Sequence, residues 1–325
     1  MFSLLRHPGL IFSLEGRAPA RPIGLKGLLL LVWAPMSAIV GPDCIAKPVA
    51  METNLERLVH SPRIEELDFF SEPLGRRMKA TVILPAKFRD GTTDWPVLFL
   101  LHVRGRHHRS LVDPDDTRAS LLEANFFIVL PNGEDGWYID SPVTTEDRYA
   151  AHLSQLVGLV NSLYPVTHDR RKTGITGWSM GGYGAVRYAE AYPERFGALA
   201  SIIGLLDFPR LETLPEGQNY TVPRERFGND PIEWRRYNPL HQADRLRDTA
   251  VLIVAADQAH DLTMNKRFAE KLSELGIAYE WRLLEGAHKF EVVATALPIV
   301  LDFMADRFKD CLLYTSDAAD ECPAV

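Results

Sequence analysis

The feature that most restricts how this chain can fold is a five-residue corner, Gly177-Trp178-Ser179-Met180-Gly181, set between a strand-like segment, 173–177, and a helix-like segment, 180–191. The pattern G-x-S-x-G belongs to a sharp strand-to-helix turn that pushes a serine hydroxyl out of the backbone. A side chain at either glycine would clash where the chain folds back on itself, and the turn forces the serine into a strained φ/ψ pair. Average residue usage gives roughly 0.1 accidental matches in a chain of this length. The flanking strand and helix therefore carry more of the inference than the five letters do.

The rest of the chain alternates in the same way, which is the pattern of a mostly parallel sheet with helices on both faces. Runs 67–70 and 78–84, separated by a Pro/Gly-containing turn, read as an antiparallel hairpin at the sheet edge. Runs 97–102 and 126–130 are continuously apolar, as strands covered on both faces must be. Segments 173–177, 198–203, 250–256 and 279–284 complete a count of eight strands. Leu153, Leu156, Val157 and Val160 give 148–163 a helical apolar stripe. Helices are also expected over 263–275, with Thr263 as N-cap and Gly276 as stop, and over 292–308. Neither repeats nor low-complexity linkers interrupt this order, so one α/β domain is expected over 51–310.

A serine hydroxyl attacks poorly until a base removes its proton, and on such a corner the partners follow in the order Ser, Asp/Glu, His. Of the ten histidines, His288 has that order and sits between the last strand and the last helix. The acid is expected in the loop after 250–256, where Asp257 and Asp261 both qualify. The developing oxyanion needs two backbone N–H donors. Met180 should supply one, and Arg104 or its neighbour, in the loop after the third strand, the other. His107 and His108 lack the companions of a zinc site, so no metal is expected. Segment 206–246 has no clear periodicity and reads as a small cap, with Trp234 and Tyr237 as candidate pocket walls.

Composition sets outer bounds. With 36 Lys+Arg against 43 Asp+Glu the formal charge is −7, and no basic run offers a nucleic acid a binding face. Three cysteines, Cys44, Cys311 and Cys322, are too few and too peripheral for a disulfide scaffold. Segment 1–50 holds an apolar stretch, 27–41, too short to span a bilayer; it reads either as a signal-like region or as an over-extended reading frame with the true start at Met51. The second reading favours a cytoplasmic protein, the first a secreted or periplasmic one. Segment 311–325 opens with CLLYTSDAADE, which resembles a translated sequencing adapter and is set aside as a non-native tail.

The run SerMetGlyGlyTyrGlyAla, the following ProGluArgPheGly, the upstream AspArgArg and the late GlyAlaHis together resemble the putative-esterase family of α/β-hydrolases, which includes esterase D and tributyrin-esterase-like enzymes. The similarity extends over about 67–308. It implies an eight-stranded α/β-hydrolase fold and serine carboxylesterase chemistry on a small-molecule ester without a cofactor. The family's serine, acid and histidine fall on Ser179, on Asp261 or Asp257, and on His288. The loop 131–141 also matches, which makes Trp137 and Tyr138 candidate substrate walls. One departure stands out: where the family has His-Gly after the third strand, this chain has His102-Val103. Two alternatives to ester hydrolysis follow from the same residues, an acyltransferase using the same acyl-enzyme and a non-catalytic binding module on a hydrolase fold. Acyl specificity and oligomeric state are not readable from the sequence.

Overall fold

The computed structural model describes residues 55–214 and 217–313. The segment 1–50, the start at Met51 and the tail from 314 lie outside the described residues. Nine strands form one sheet in the order β1-β2-β3-β5-β4-β6-β7-β8-β9. β1 (Leu55–Ser61), β2 (Ile64–Ser71) and β3 (Arg76–Ile83) are antiparallel, and β3 joins β5 (Phe127–Pro131) antiparallel as well. β4 (Val97–Leu101) lies between β5 and β6 (Thr173–Trp178), and from there β7 (Ala198–Ile202), β8 (Ala250–Ala256) and β9 (Tyr279–Leu284) continue in parallel.

The sheet has nine strands where the sequence reading counted eight, and the addition is β1. Its side chains are exposed along most of its length, so it has no apolar face to betray it; it forms because β2 offers an open edge. The hairpin of β2 and β3 is therefore one strand in from the edge.

Two cores form because alternate residues of a strand face opposite sides of a sheet. On β4, Phe99 and Leu101 join one core while Leu98 and Leu100 join the other. The first core takes α2 (Tyr149–Leu163), α3 (Met180–Ala191) and α6 (Leu262–Glu274) through Leu153, Leu156, Val160, Val186, Met264 and Phe268. The second takes α1 (Asp115–Glu123) and α7 (Phe290–Leu313) through Leu121, Val293, Leu297 and Met304. The span between β7 and β8 carries two short helices, α4 (Arg224–Phe227) and α5 (Pro231–Tyr237), where the cap was expected. Asp230 caps α5 by accepting from the Ile232 amide, with Pro231 fixing the first turn.

One helix start differs from expectation. α6 begins at Leu262, with Asp261 in the cap position and Thr263 already inside the first turn. The Thr263 amide is satisfied from outside, by the side-chain oxygen of Gln218 at 2.6 Å. Among the described residues no helix is long and apolar enough to cross a membrane.

Candidate active site

Open α/β sheets place ligands at the carboxyl ends of their parallel strands, and three such ends converge here. Ser179 follows β6, Asp261 follows β8 and His288 follows β9. Ser179 has φ 54° and ψ −117°, the one strained step between strand and helix. Its amide donates to the Ile202 carbonyl at 3.0 Å, tying the corner to β7. The glycines are required sterically: a Cβ on Gly181 would sit 2.2 Å from the Leu101 carbonyl oxygen, and one on Gly177 would sit 2.4 Å from the Gly181 carbonyl carbon.

The structure brings Ser179, His288 and Asp261 together. Ser179 Oγ and His288 Nε2 are 2.8 Å apart, and His288 Nδ1 lies 2.6 Å from Asp261 Oδ1. An Nδ1–H donated to the carboxylate leaves Nε2 as the acceptor for the serine proton. Asp261 is fully buried and Ser179 nearly so. The second carboxylate oxygen, Asp261 Oδ2, accepts from Asn265 Nδ2 at 2.8 Å, and the same amide nitrogen donates to the Gly204 carbonyl. Asn265 was not singled out in the sequence, although its position four residues after Asp261 puts both on one helix face.

Asp257, the other acid candidate, lies elsewhere in the same loop. Its Oδ1 accepts from the Gly286 amide at 2.9 Å, fastening the loop after β8 to the loop that carries His288. The two turns between the aspartates decide which one reaches the imidazole.

The loop after β4 is organised by His102. Its Nδ1 donates to the Val103 carbonyl at 2.7 Å, and its Nε2 accepts from the Gly133 amide at 2.8 Å. Burial lowers its pKa to about 4, so the ring is neutral, as that bonding requires. Val103 replaces a glycine without strain because the left-handed position in this loop is Gly105, at φ 70°. The Gly105 amide donates to Asp135 at 2.7 Å. Arg104 directs its guanidinium to the Tyr220 hydroxyl at 3.0 Å and toward Asp135. His108 is buried with its Nε2 3.1 Å from Glu66 on β2, whereas His107 is exposed.

Of the four candidate walls, Tyr237 is half-buried, and Trp137, Tyr138 and Trp234 are buried. Tyr138 is buried, and its hydroxyl bridges the amide and carbonyl of His102 at 3.0 and 3.2 Å. Trp137 is also buried, stacked on Phe208 with centroids 4.9 Å apart and edge-on to Tyr183, Tyr220 and Phe227. Trp234 is buried too and donates its indole N–H to the Gly228 carbonyl at 3.1 Å. All three fasten loop and cap to the body instead of facing an open pocket. An amphipathic ring reads the same in sequence in either role.

Known proteins resemble this chain in sequence and in fold. The sequence model of the family described as "Putative esterase" matches residues 71–298. Esterase Rv1288 of Mycobacterium tuberculosis is 24% identical over 270 residues, covering 73% of this chain and 58% of that one, so the chain spans little more than half of that relative's length. S-formylglutathione hydrolase of Paracoccus denitrificans is 25% identical over 271 residues, covering 74% and 89% of the two chains. Among solved structures, an S-formylglutathione hydrolase from Agrobacterium tumefaciens superposes with a TM-score of 0.66 at 20% identity, covering 78% of this chain and 99% of that one. At that identity the superposition speaks for the α/β-hydrolase fold.

Proposed function

The chain belongs to the Putative esterase family, and from that premise we propose that it hydrolyses a small carboxylic ester or thioester through an acyl-enzyme on Ser179. The observation that carries this reading is the unbroken line of hydrogen bonds from Ser179 through His288 to a buried carboxylate, with steps of 2.8 and 2.6 Å. His288 Nε2 takes the hydroxyl proton as Oγ attacks the carbonyl carbon. The imidazolium that forms is held by Asp261, whose own orientation is fixed by Asn265. The oxyanion is received by the Met180 N–H, at the start of α3, and by an N–H of the loop after β4, which we assign to Arg104. His288 then returns the proton to the leaving alkoxide or thiolate. A water molecule activated by the same imidazole releases the acid and restores Ser179.

In support, the hydroxyl, imidazole and carboxylate lie within hydrogen-bond reach of one another, and the burial of Ser179 and Asp261 favours charge stabilisation over solvation. The test is active-site labelling. A fluorophosphonate probe is expected to label the wild-type chain at Ser179, and Ser179→Ala is expected to remain unlabelled and to hydrolyse p-nitrophenyl acetate at least a thousandfold more slowly. A wild type that folds but takes no label defeats the reading. Adding an alcohol to the assay separates hydrolysis from acyl transfer: this reading expects the free acid as the main product.

A further inference from the structure

One side chain beside the reacting groups has no part in that sequence of steps. The His260 ring lies against the His288 ring, with centroids 4.3 Å apart and planes at 43°. Tyr220 stacks on it at 6.0 Å and 18°. The Nε2 atom of His260 is buried and has no hydrogen-bond partner. A buried nitrogen lone pair or N–H left unmatched is costly, and here its residue stands beside a second imidazole and a carboxylate. One donor atom from each of His260, Asp261 and His288 lies within 4.8 Å of the others.

Two imidazoles and a carboxylate are the donor set of a zinc-class ion rather than of magnesium or calcium, which prefer oxygen alone. A tetrahedral ion with bonds of about 2.0–2.2 Å holds its donors about 3.4 Å apart. Closing this cluster therefore takes at most about 1.4 Å per pair, shared between side chains that stand on turns, where such shifts are absorbed. The expectation of no metal was drawn from His107 and His108, which lie in a different loop.

We propose that His260, Asp261 and His288 form an inhibitory site for a zinc-class divalent cation, which switches the enzyme off by taking the His288 imidazole as a ligand. The proposal rests on the hydrolase reading above, because it regulates the same imidazole. Because Asp261 faces Nδ1, the ion binds on that side, forming a metal–nitrogen bond in place of the Nδ1–H bond. The displaced proton moves to Nε2, which then carries an N–H and cannot take the Ser179 proton while the ion is bound. No redox change is involved, and the ring keeps its one proton.

The experiment uses the full chain, freed of metal with a chelator and then dialysed. Wild type is expected to hydrolyse p-nitrophenyl acetate in the absence of metal, to lose more than nine-tenths of that rate at micromolar Zn2+, and to recover with EDTA; Mg2+ is expected to leave the rate unchanged. His260→Phe keeps an aromatic ring in the stack and removes the donor. It is expected to retain the metal-free rate within about threefold while the zinc needed for half-inhibition rises at least tenfold. A direct reading comes from Co2+ added to Ser179→Ala, which keeps all three ligands: the visible absorption of tetrahedral cobalt should appear, and should vanish in the Ser179→Ala, His260→Phe double variant. If metal-free wild type does not hydrolyse the ester, the hydrolase reading fails, and the cobalt spectrum still reports on the site. If hydrolysis is intact but zinc inhibits wild type and His260→Phe equally, or cobalt gives no tetrahedral spectrum, the inhibitory site is refuted.

Discussion

At the scale of single residues, strain and proton orientation are handled separately. Ser179 at φ 54° occupies a region that costs a non-glycine residue about 1–3 kcal/mol, held there by the Ile202 carbonyl behind it and by the close approach of Gly181 to Leu101. Proton orientation depends on which aspartate meets His288. Asp261→Asn replaces the acceptor of the Nδ1 proton with a group that can present N–H to the ring, which favours the wrong tautomer. In Ser-His-Asp enzymes that change costs about 10⁴ in kcat, and a loss of that order is expected here. Asp257→Asn retains an oxygen that can accept from the Gly286 amide, so kcat should stay within about fivefold of wild type. Steady-state kinetics on p-nitrophenyl acetate with both variants decides the matter: equal effects, or a larger one at Asp257, would show that the acid has been placed on the wrong residue.

Between elements, the site is held by aromatic packing that reaches from the body into the cap. Trp137 on the loop after β5 touches Tyr183 of α3 and, beyond β7, Phe208, Tyr220 and Phe227. Trp137→Ala removes the shared member of that group, and a loss of about 3–5 kcal/mol is expected, the range for a fully buried large aromatic. Urea denaturation reads it as a lower midpoint at unchanged slope; a loss below 1 kcal/mol would mean that loop and cap are held by other contacts. The sequence disclosed some elements and hid others for physical reasons. β4 and β5 were legible because both faces are covered and every residue is apolar. β1 was hidden because nearly every residue faces solvent, and α1 because its weak apolar stripe buries only Thr117 and Leu121. Ser179 and His288 could be picked out by order along the chain, since each follows a strand. The choice between Asp257 and Asp261 could not, because two turns lie between them and only the folded loop shows which carboxylate points inward. The fate of Trp137 and Tyr138 was closed to sequence for the same reason: whether a ring packs or lines depends on partners up to about 90 residues away, such as Phe227.

Across the whole molecule, stability at mild acid pH depends on buried imidazoles that join separate parts of the sheet. His102 links the loop after β4 to Gly133 beyond β5. His152 on α2 bonds Ser71 at the end of β2 at 3.0 Å and the Asn132 carbonyl at 3.2 Å. Burial lowers both to about 4 from an ordinary 6.5. A base whose folded pKa is depressed contributes nothing adverse above the unfolded value, because both states are then neutral. Between pH 6.5 and 4 the unfolded chain takes up protons that the folded chain refuses, so stability falls as pH falls. Below 4 that loss is complete. A depression of this size corresponds to about 3 kcal/mol for each histidine once the window is fully crossed. Glu66 adds a later step. Desolvation raises its carboxyl, but hydrogen bonds from Lys79 and His108 outweigh this and hold it at about 2, so its share of stability is intact above pH 4.5 and is lost between 4.5 and 2. Urea midpoints at pH 7.5, 5.5 and 4.5 should therefore decline before the carboxylates begin to titrate. His152→Gln, with an amide that can still donate to the Asn132 carbonyl, should shed about half of the decline between pH 6.5 and 4. A midpoint that stays level from pH 7.5 to 4.5 would mean that both rings accept protons in the folded state, and so that they are open to water rather than sealed within the sheet.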